Sequence, residues 1–359
     1  MIRFLILFLL LYPSIMTAQV LSDTMSVKLI RKEIKFIYEM DFIEARKTHS
    51  ILDKKYPDHA VMCLLKGMLI YKENYPLTYL SPERADYEKE LKKCINKYNS
   101  SNQEYGAENL LINLCARGLL LMFYADNNMR ADVIPLAANT YWYIRQAFIY
   151  SGTYPDFYFF TGLYNYYREA YPEVHPVYQT LAFLFPKGDR RKGLQELEAA
   201  SNNSIFLRAE TCYFLLSIWE SFENNYSRVS QLTDTLHMVF PKNVQYQALY
   251  IKNLLLLKRY NEAEKEILSY KLIKNPYLRS QVTVFQAILE EKKYYNYFQA
   301  EKLYNKGIEE MKKYGEFGNE YIAYAYYGLS RVCHNNQQVQ KKYRKIADNL
   351  TDYRNVNFD

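Results

Sequence analysis

Four residues in "REAYPEVHP" are of the types that move protons or hold metals: Arg168, Glu169, Glu173 and His175. Two carboxylates and an imidazole this close could ligate zinc, or act as a general acid and base. Their spacing fits neither use. Pro172 breaks the helical register between Glu169 and Glu173, and no HExxH set is formed. An acid–base pair also needs burial and a facing partner, which the flanking residues do not supply. These charges read as solvated loop charges. His49, His59, His237 and His334 are isolated, with His49 and His237 placed for packing or surface roles. GxSxG, P-loop and GxGxxG patterns are missing, so the chain is read as non-catalytic, with no cofactor and no metal. In "FPKGDRRKG", Gly188, Arg190, Arg191 and Lys192 at a helix start could hold a phosphate. Asp189 makes a plain helix cap the stronger reading.

The acid–histidine stretch ends a segment rich in rings, "YPDFYFFTGLYNYYREAYPEVHP". Asp156 is placed to cap a helix that begins at Phe157 and stops at Pro172. Phe160, Leu163, Tyr164, Tyr167 and Tyr171 would share one face, flanked by Phe159 and Tyr166, while Gly162 admits a close helix neighbour. Such rings either line a binding groove or fill the space between stacked helices. With 38 tyrosines along the chain, core filling is the first reading.

The elements that must position these residues recur with a period. "YQALYIKNLLLLKRYNEAEKEILSYKLIKNP" reads as an apolar helix, a tight turn at Lys258–Arg259, an aromatic at Tyr260, Ala263 on a second helix and a closing Pro276. The preceding unit places Tyr226, Val229 and Pro241 in the same roles. Val229 and Ala263 are 34 residues apart, and Pro241 and Pro276 are 35 apart. Phe42, Ala45 and Pro57 repeat the grammar near the start, and Ala300 repeats it later. A small residue lets two antiparallel helices approach, an aromatic wedges the turn, and a proline ends the pair.

These units resemble the tetratricopeptide repeat (TPR) family over most of residues 27–350. The clearest are about 27–57, 209–241, 243–276 and 280–313, with an irregular insertion at about 72–153. The family's small residue in the first helix is matched at Gly67, Gly162 and Gly328, and replaced by Ser217 and Ile251 elsewhere. The segment from Phe183 to Trp219 is also similar to part of a eukaryotic TPR family implicated in clearing protein inclusions, and to exported bacterial TPR proteins. The resemblance implies an all-α, right-handed superhelix (an α-solenoid) of antiparallel helix pairs. It also implies protein or peptide binding on the concave face. With Gly162 in the small-residue position, Asp156, Phe159, Tyr166 and Tyr167 fall on that face, and Lys252 is placed to orient a partner.

Composition narrows the class further. Charged residues make up 24%, Gly and Pro number only 11 each, and the net charge of +7 is interleaved without a basic run. This favours a helical globular chain and argues against nucleic-acid binding. "MIRFLILFLLLYPSIMTAQ" has Arg3, a short apolar stretch and small residues before a cleavage point after Ala18, which predicts a signal peptide at 1–18 and one domain at 19–359. Its ending resembles export signals of Bacteroidetes-type bacteria. The expected location is the periplasm or outer surface of a Gram-negative cell, or outside it, without integral membrane anchorage after cleavage. Five scattered cysteines read as buried free thiols, with one disulfide left open. Two other functions stay open: capture of a glycan or nutrient on exposed tyrosines, and hydrolysis using Glu169, Glu173 or Asp189.

Overall fold

The computed structural model describes residues 19–99, 106–174, 185–270, 275–333, 336–351 and 358–359. Residues 1–18, expected to be a signal peptide, lie outside the described residues, as do His175 and His334. Among the described residues, all sixteen regular elements longer than one turn are α-helices. They are α1 (Thr24–Tyr38), α2 (Phe42–Lys55), α3 (Ala60–Glu73), α4 (Arg84–Asn99), α5 (Ala107–Asp126), α6 (Arg130–Tyr150), α7 (Phe157–Val174) and α8 (Arg190–Asn203). There follow α9 (Arg208–Ser221), α10 (Tyr226–Val239), α11 (Val244–Leu256), α12 (Tyr260–Ser269), α13 (Pro276–Lys292), α14 (Tyr297–Lys312), α15 (Glu316–Val332) and α16 (Gln337–Leu350). Each packs on its neighbours in sequence, which makes the array an α-solenoid.

One turn recurs inside the hairpins. Met40, Asn128, Asn224, Lys258 and Tyr295 each adopt a left-handed backbone, with φ between 51° and 59°, two residues before the second helix begins. The next residue then donates its N–H back to the first helix, as in Asp41 to the Phe36 carbonyl (2.9 Å) and Arg259 to that of Leu254 (2.8 Å). The turn thus satisfies backbone groups that a helix end leaves unpaired. Asp41, Asn225 and Asn296 then cap the second helix with their side chains. Ala45, Ala263 and Ala300 are fully buried in the hairpins, as their spacing predicts. Pro276 does not close its hairpin. It is the first residue of α13, where a missing N–H costs nothing, with Asn275 as the cap.

A close helix approach joins α7 and α8. A Cβ on Gly193 would lie 2.6 Å from the Tyr166 amide nitrogen, and one on Gly162 would lie 3.0 Å from the Gly193 carbonyl oxygen. Pro172 sits inside the last turn of α7 instead of ending it, since only one backbone hydrogen bond is lost there.

The array also curls back on itself. Tyr38 on α1 donates its hydroxyl to Glu210 on α9, and Asn243 donates its side-chain amide to the Tyr38 carbonyl at 2.9 Å. Lys72 reaches Gln245 at 3.2 Å, and Asn128 reaches Glu316 at 3.3 Å. The Tyr75 ring, just after α3, meets Tyr277 and Phe317 edge-on at 5.9 and 6.1 Å. These contacts join the first third of the chain to its second half and enclose the inner face of the superhelix.

Candidate functional site

The space between these two parts of the chain is a partly open cavity of about 450 Å³, a volume in the range of small-ligand sites. Its walls come mainly from the first helix of each hairpin. From α9 come Glu210, Tyr213, Ser217 and Glu220, all on one face by their spacing of three and four. From α11 come Gln245, Leu249 and Lys252, and from α13 Tyr277 and Gln281. The opposite wall holds Tyr71, Lys72 and Tyr75 from α3 and its following turn, and Asp126 at the end of α5. Glu316, Asn319, Glu320 and Tyr321 of α15 complete it.

The charges here are perturbed in ways that follow from enclosure. Burial pushes the Glu210 carboxyl up to about 8, so it is mostly protonated at neutral pH. Its Oε1 accepts the Tyr38 hydroxyl, while its buried Oε2 has no hydrogen-bond partner. Asp126 lines the cavity and is exposed. Enclosure by protein raises it to about 6, against the opposing pull of the Tyr71 hydroxyl at 3.5 Å and of Lys72. Burial lowers Lys72 to about 8, with Asp126 opposing. The Lys72 ammonium lies 4.6 Å from the Tyr38 ring centre and 5.6 Å from that of Tyr71. Lys252 is only 5% exposed. Burial opposes its charge, but Glu220 at 2.9 Å and Glu320 at 3.3 Å outweigh that and hold it above its ordinary value.

Tyr213 stands among these groups with its ring 39% exposed. It bears electrostatically on Tyr71 and Tyr75 from one wall and on Tyr277 and Tyr321 from the other.

No family model, curated protein or solved structure matches the chain. The reading of the site rests on its own geometry.

Of the five partner-binding residues expected from the sequence, Lys252 lines the cavity and Asp156, Phe159, Tyr166 and Tyr167 do not. Asp156 is fully buried, and its carboxylate accepts the N–H groups of Ile205 (2.7 Å), Phe206 (2.7 Å) and Leu207 (3.1 Å) ahead of α9. Phe159 packs edge-on against Phe160 and Phe214. Tyr166 is fully buried, donates its hydroxyl to Glu223 at 2.6 Å and lies under the Arg190 guanidinium. Tyr167, half-buried, packs on Tyr166 and Phe222. These four belong together in the seam between α7, α8 and α9, away from the cavity lining.

Glu169 accepts the Gly188 N–H at 3.0 Å, Glu173 pairs with Arg190 at 2.9 Å, and Asp189 caps α8 through the Lys192 N–H. None of the three lines the cavity. The five cysteines are free thiols, four of them buried. Among the described residues no helix is long and apolar enough to cross a membrane.

The cavity residues do carry a signal that sequence reasoning missed. Tyr213, Gln245 and Tyr277 recur every 32 residues, as do Ser217, Leu249 and Gln281, and Glu220 and Lys252 follow the same interval. A search for period-matched polar and aromatic positions on the first helix of each hairpin would find them.

Proposed function

We propose that the protein is an exported, non-catalytic binding protein of TPR type, which receives an extended peptide segment of a partner in its central cavity. The observation that carries this reading is the central cavity itself, partly open and walled by first helices, with Tyr213 among its lining. A space of about 450 Å³ admits a short stretch of chain and excludes a folded domain. Tyrosine anchors give contact area at low entropic cost, and the amides of Gln245, Gln281 and Asn319 can pair with a peptide backbone. The TPR assignment is supported by the spacing of Val229 and Ala263 and by the shared left-handed turn residue. Export is supported by the signal-like residues 1–18.

The test is equilibrium capture from a mixed-sequence tetrapeptide pool by the mature protein, with retained peptides identified by mass spectrometry. Ser217→Trp, which fills the cavity, should abolish retention, while Tyr167→Ala in the packed seam should preserve it. Equal retention by the Ser217→Trp protein would overturn the assignment. A second reading, glycan capture, is favoured by the partly exposed Tyr213 ring beside the same amides. It predicts binding on a glycan array that Tyr213→Ala removes, with no peptide retained.

A further inference from the structure

Helix α6 is apolar on two opposite faces. Its inner face packs Val133, Leu136, Ile144 and Ala147 into the core. Its outer face carries Ala131, Ile134, Ala138, Trp142, Arg145 and Ile149. At about 100° and 1.5 Å per residue these share a sector of about 80° and run for about 27 Å. Ile134 is 69% exposed, Trp142 61% and Ile149 78%. Helix α14, also second in its hairpin, turns Glu301, Lys302, Asn305, Lys306 and Glu309 outward. That is the face a helix shows to water, and α6 departs from it.

The charges on the α6 stripe have one sign. Arg145 lies within it, its guanidinium 5.9 Å from the Trp142 ring centre. Phe185 packs edge-on against Tyr141 at 4.9 Å, and the exposed Lys187 follows two residues later. Asp132 is the one acid on α6, and it lies about 120° round the helix from the middle of the stripe.

The chemistry of this face favours lipid over a folded partner. A protein interface matches polar groups at about one hydrogen bond per 100–200 Å². The stripe offers only the Arg145 guanidinium and the Trp142 indole N–H. A lipid surface asks for apolar side chains at the acyl boundary, an indole at headgroup level and cations toward anionic headgroups. The stripe has all three and no acid to oppose them. Among the described residues no helix is long and apolar enough to cross a bilayer, so α6 would lie in its plane.

We infer that α6 docks the protein on an anionic lipid surface, with Ile134, Trp142 and Ile149 inserted and Arg145 and Lys187 turned to the headgroups. No residue of this face lines the cavity, so lipid docking and peptide binding stand or fall separately.

The chain has two tryptophans, and Trp219 is buried, so Trp219→Phe leaves Trp142 as the single reporter. The mature protein, with and without that change, is titrated with vesicles of phosphatidylcholine alone or in equal parts with phosphatidylglycerol. It should sediment with the anionic vesicles, and Trp142 emission should shift to the blue and be quenched by brominated acyl chains. Ile149→Glu should weaken binding about tenfold or more. Arg145→Gln should weaken it about fivefold, on anionic vesicles only. Phe298→Glu, an exposed ring on another hairpin, should leave binding unchanged. Circular dichroism melting checks each fold, and sedimentation of the unchanged protein keeps the test valid if Trp219→Phe does not fold.

No sedimentation with anionic vesicles overturns the inference. So does binding that Ile149→Glu leaves intact, or that does not shift Trp142 emission in a folded Trp219→Phe protein. Equal binding to both kinds of vesicle overturns the selection of anionic lipid. A dimer in sedimentation velocity that Ile149→Glu dissociates, without vesicle binding, overturns lipid docking in favour of a second copy of the chain.

Discussion

Two parts of this molecule hold clustered tyrosines and behave in opposite ways. In the seam between α7, α8 and α9 the rings of Phe159 and Tyr166 are buried and that of Tyr167 is half-buried against them. Gly162 and Gly193 let the helix backbones meet there, and the Tyr166 hydroxyl has a carboxylate, Glu223, within 2.6 Å. Around the central cavity the first helices of successive hairpins face a shared space instead of a neighbour. Tyr213 is 39% exposed, and Asp126, Glu210 and Lys72 are displaced from their ordinary protonation. Aromatic density is common to both. What separates them is the opposing surface, a glycine-lined helix in one case and a charged void in the other.

Substitution should separate the two regions sharply. Asp156→Ala leaves three buried N–H groups without an acceptor, and each such group costs roughly 1–3 kcal/mol. Urea unfolding should therefore show the largest loss of stability at this position, about 3–5 kcal/mol, from a residue that touches no cavity wall. Tyr166→Ala should follow, at about 3 kcal/mol or more for a large buried ring. A loss below 1 kcal/mol at Tyr166 would mean that the seam is not a packed core.

The cavity should instead reveal itself through pH. Glu210 titrates near 8 in the folded protein against an ordinary 4.5, so the folded chain retains a proton that the unfolded chain has lost. Stability should fall as pH rises from about 4.5 to 8, by at most about 1.4 kcal/mol per unit. Asp126, raised to about 6, adds to this fall below pH 6. Lys72, lowered to about 8 from 10.5, has the opposite sign, and its contribution should raise stability between those values. These three groups together place a minimum near pH 8. In Glu210→Gln the limb between pH 6 and 8 should flatten, as read from urea midpoints, and an unchanged slope would detach Glu210 from it. Smallest in stability is Tyr213→Ala, expected below about 1 kcal/mol for a ring that is not fully buried. If it costs as much as Tyr166→Ala, the two regions are of one kind after all.

How much of this could be read from the chain depended on distance along it. Local features were legible. The buried positions of Ala45, Ala263 and Ala300, the turn at Lys258 and the close contact at Gly162 all follow from short-range spacing. Asp156 shows where that reach ends. Helix α7 does begin at Phe157, yet the carboxylate serves amides 49 to 51 residues later, because a fully buried acceptor is set by whichever backbone arrives beside it. The cavity depends on contacts farther apart still, such as Tyr38 with Glu210, 172 residues away. Curvature accumulated over many hairpins decides whether the inner face is open or closed, and no single repeat encodes it.

That same closure changes what the two ends of the array are. In an open stack the first helix has one neighbour and can fray without disturbing the rest. Here α1 touches α2 and α3 and also bonds to Glu210 and Asn243. A chain shortened from its beginning would thus lose a wall from its middle. Topologically α1 is an interior element that happens to be made first.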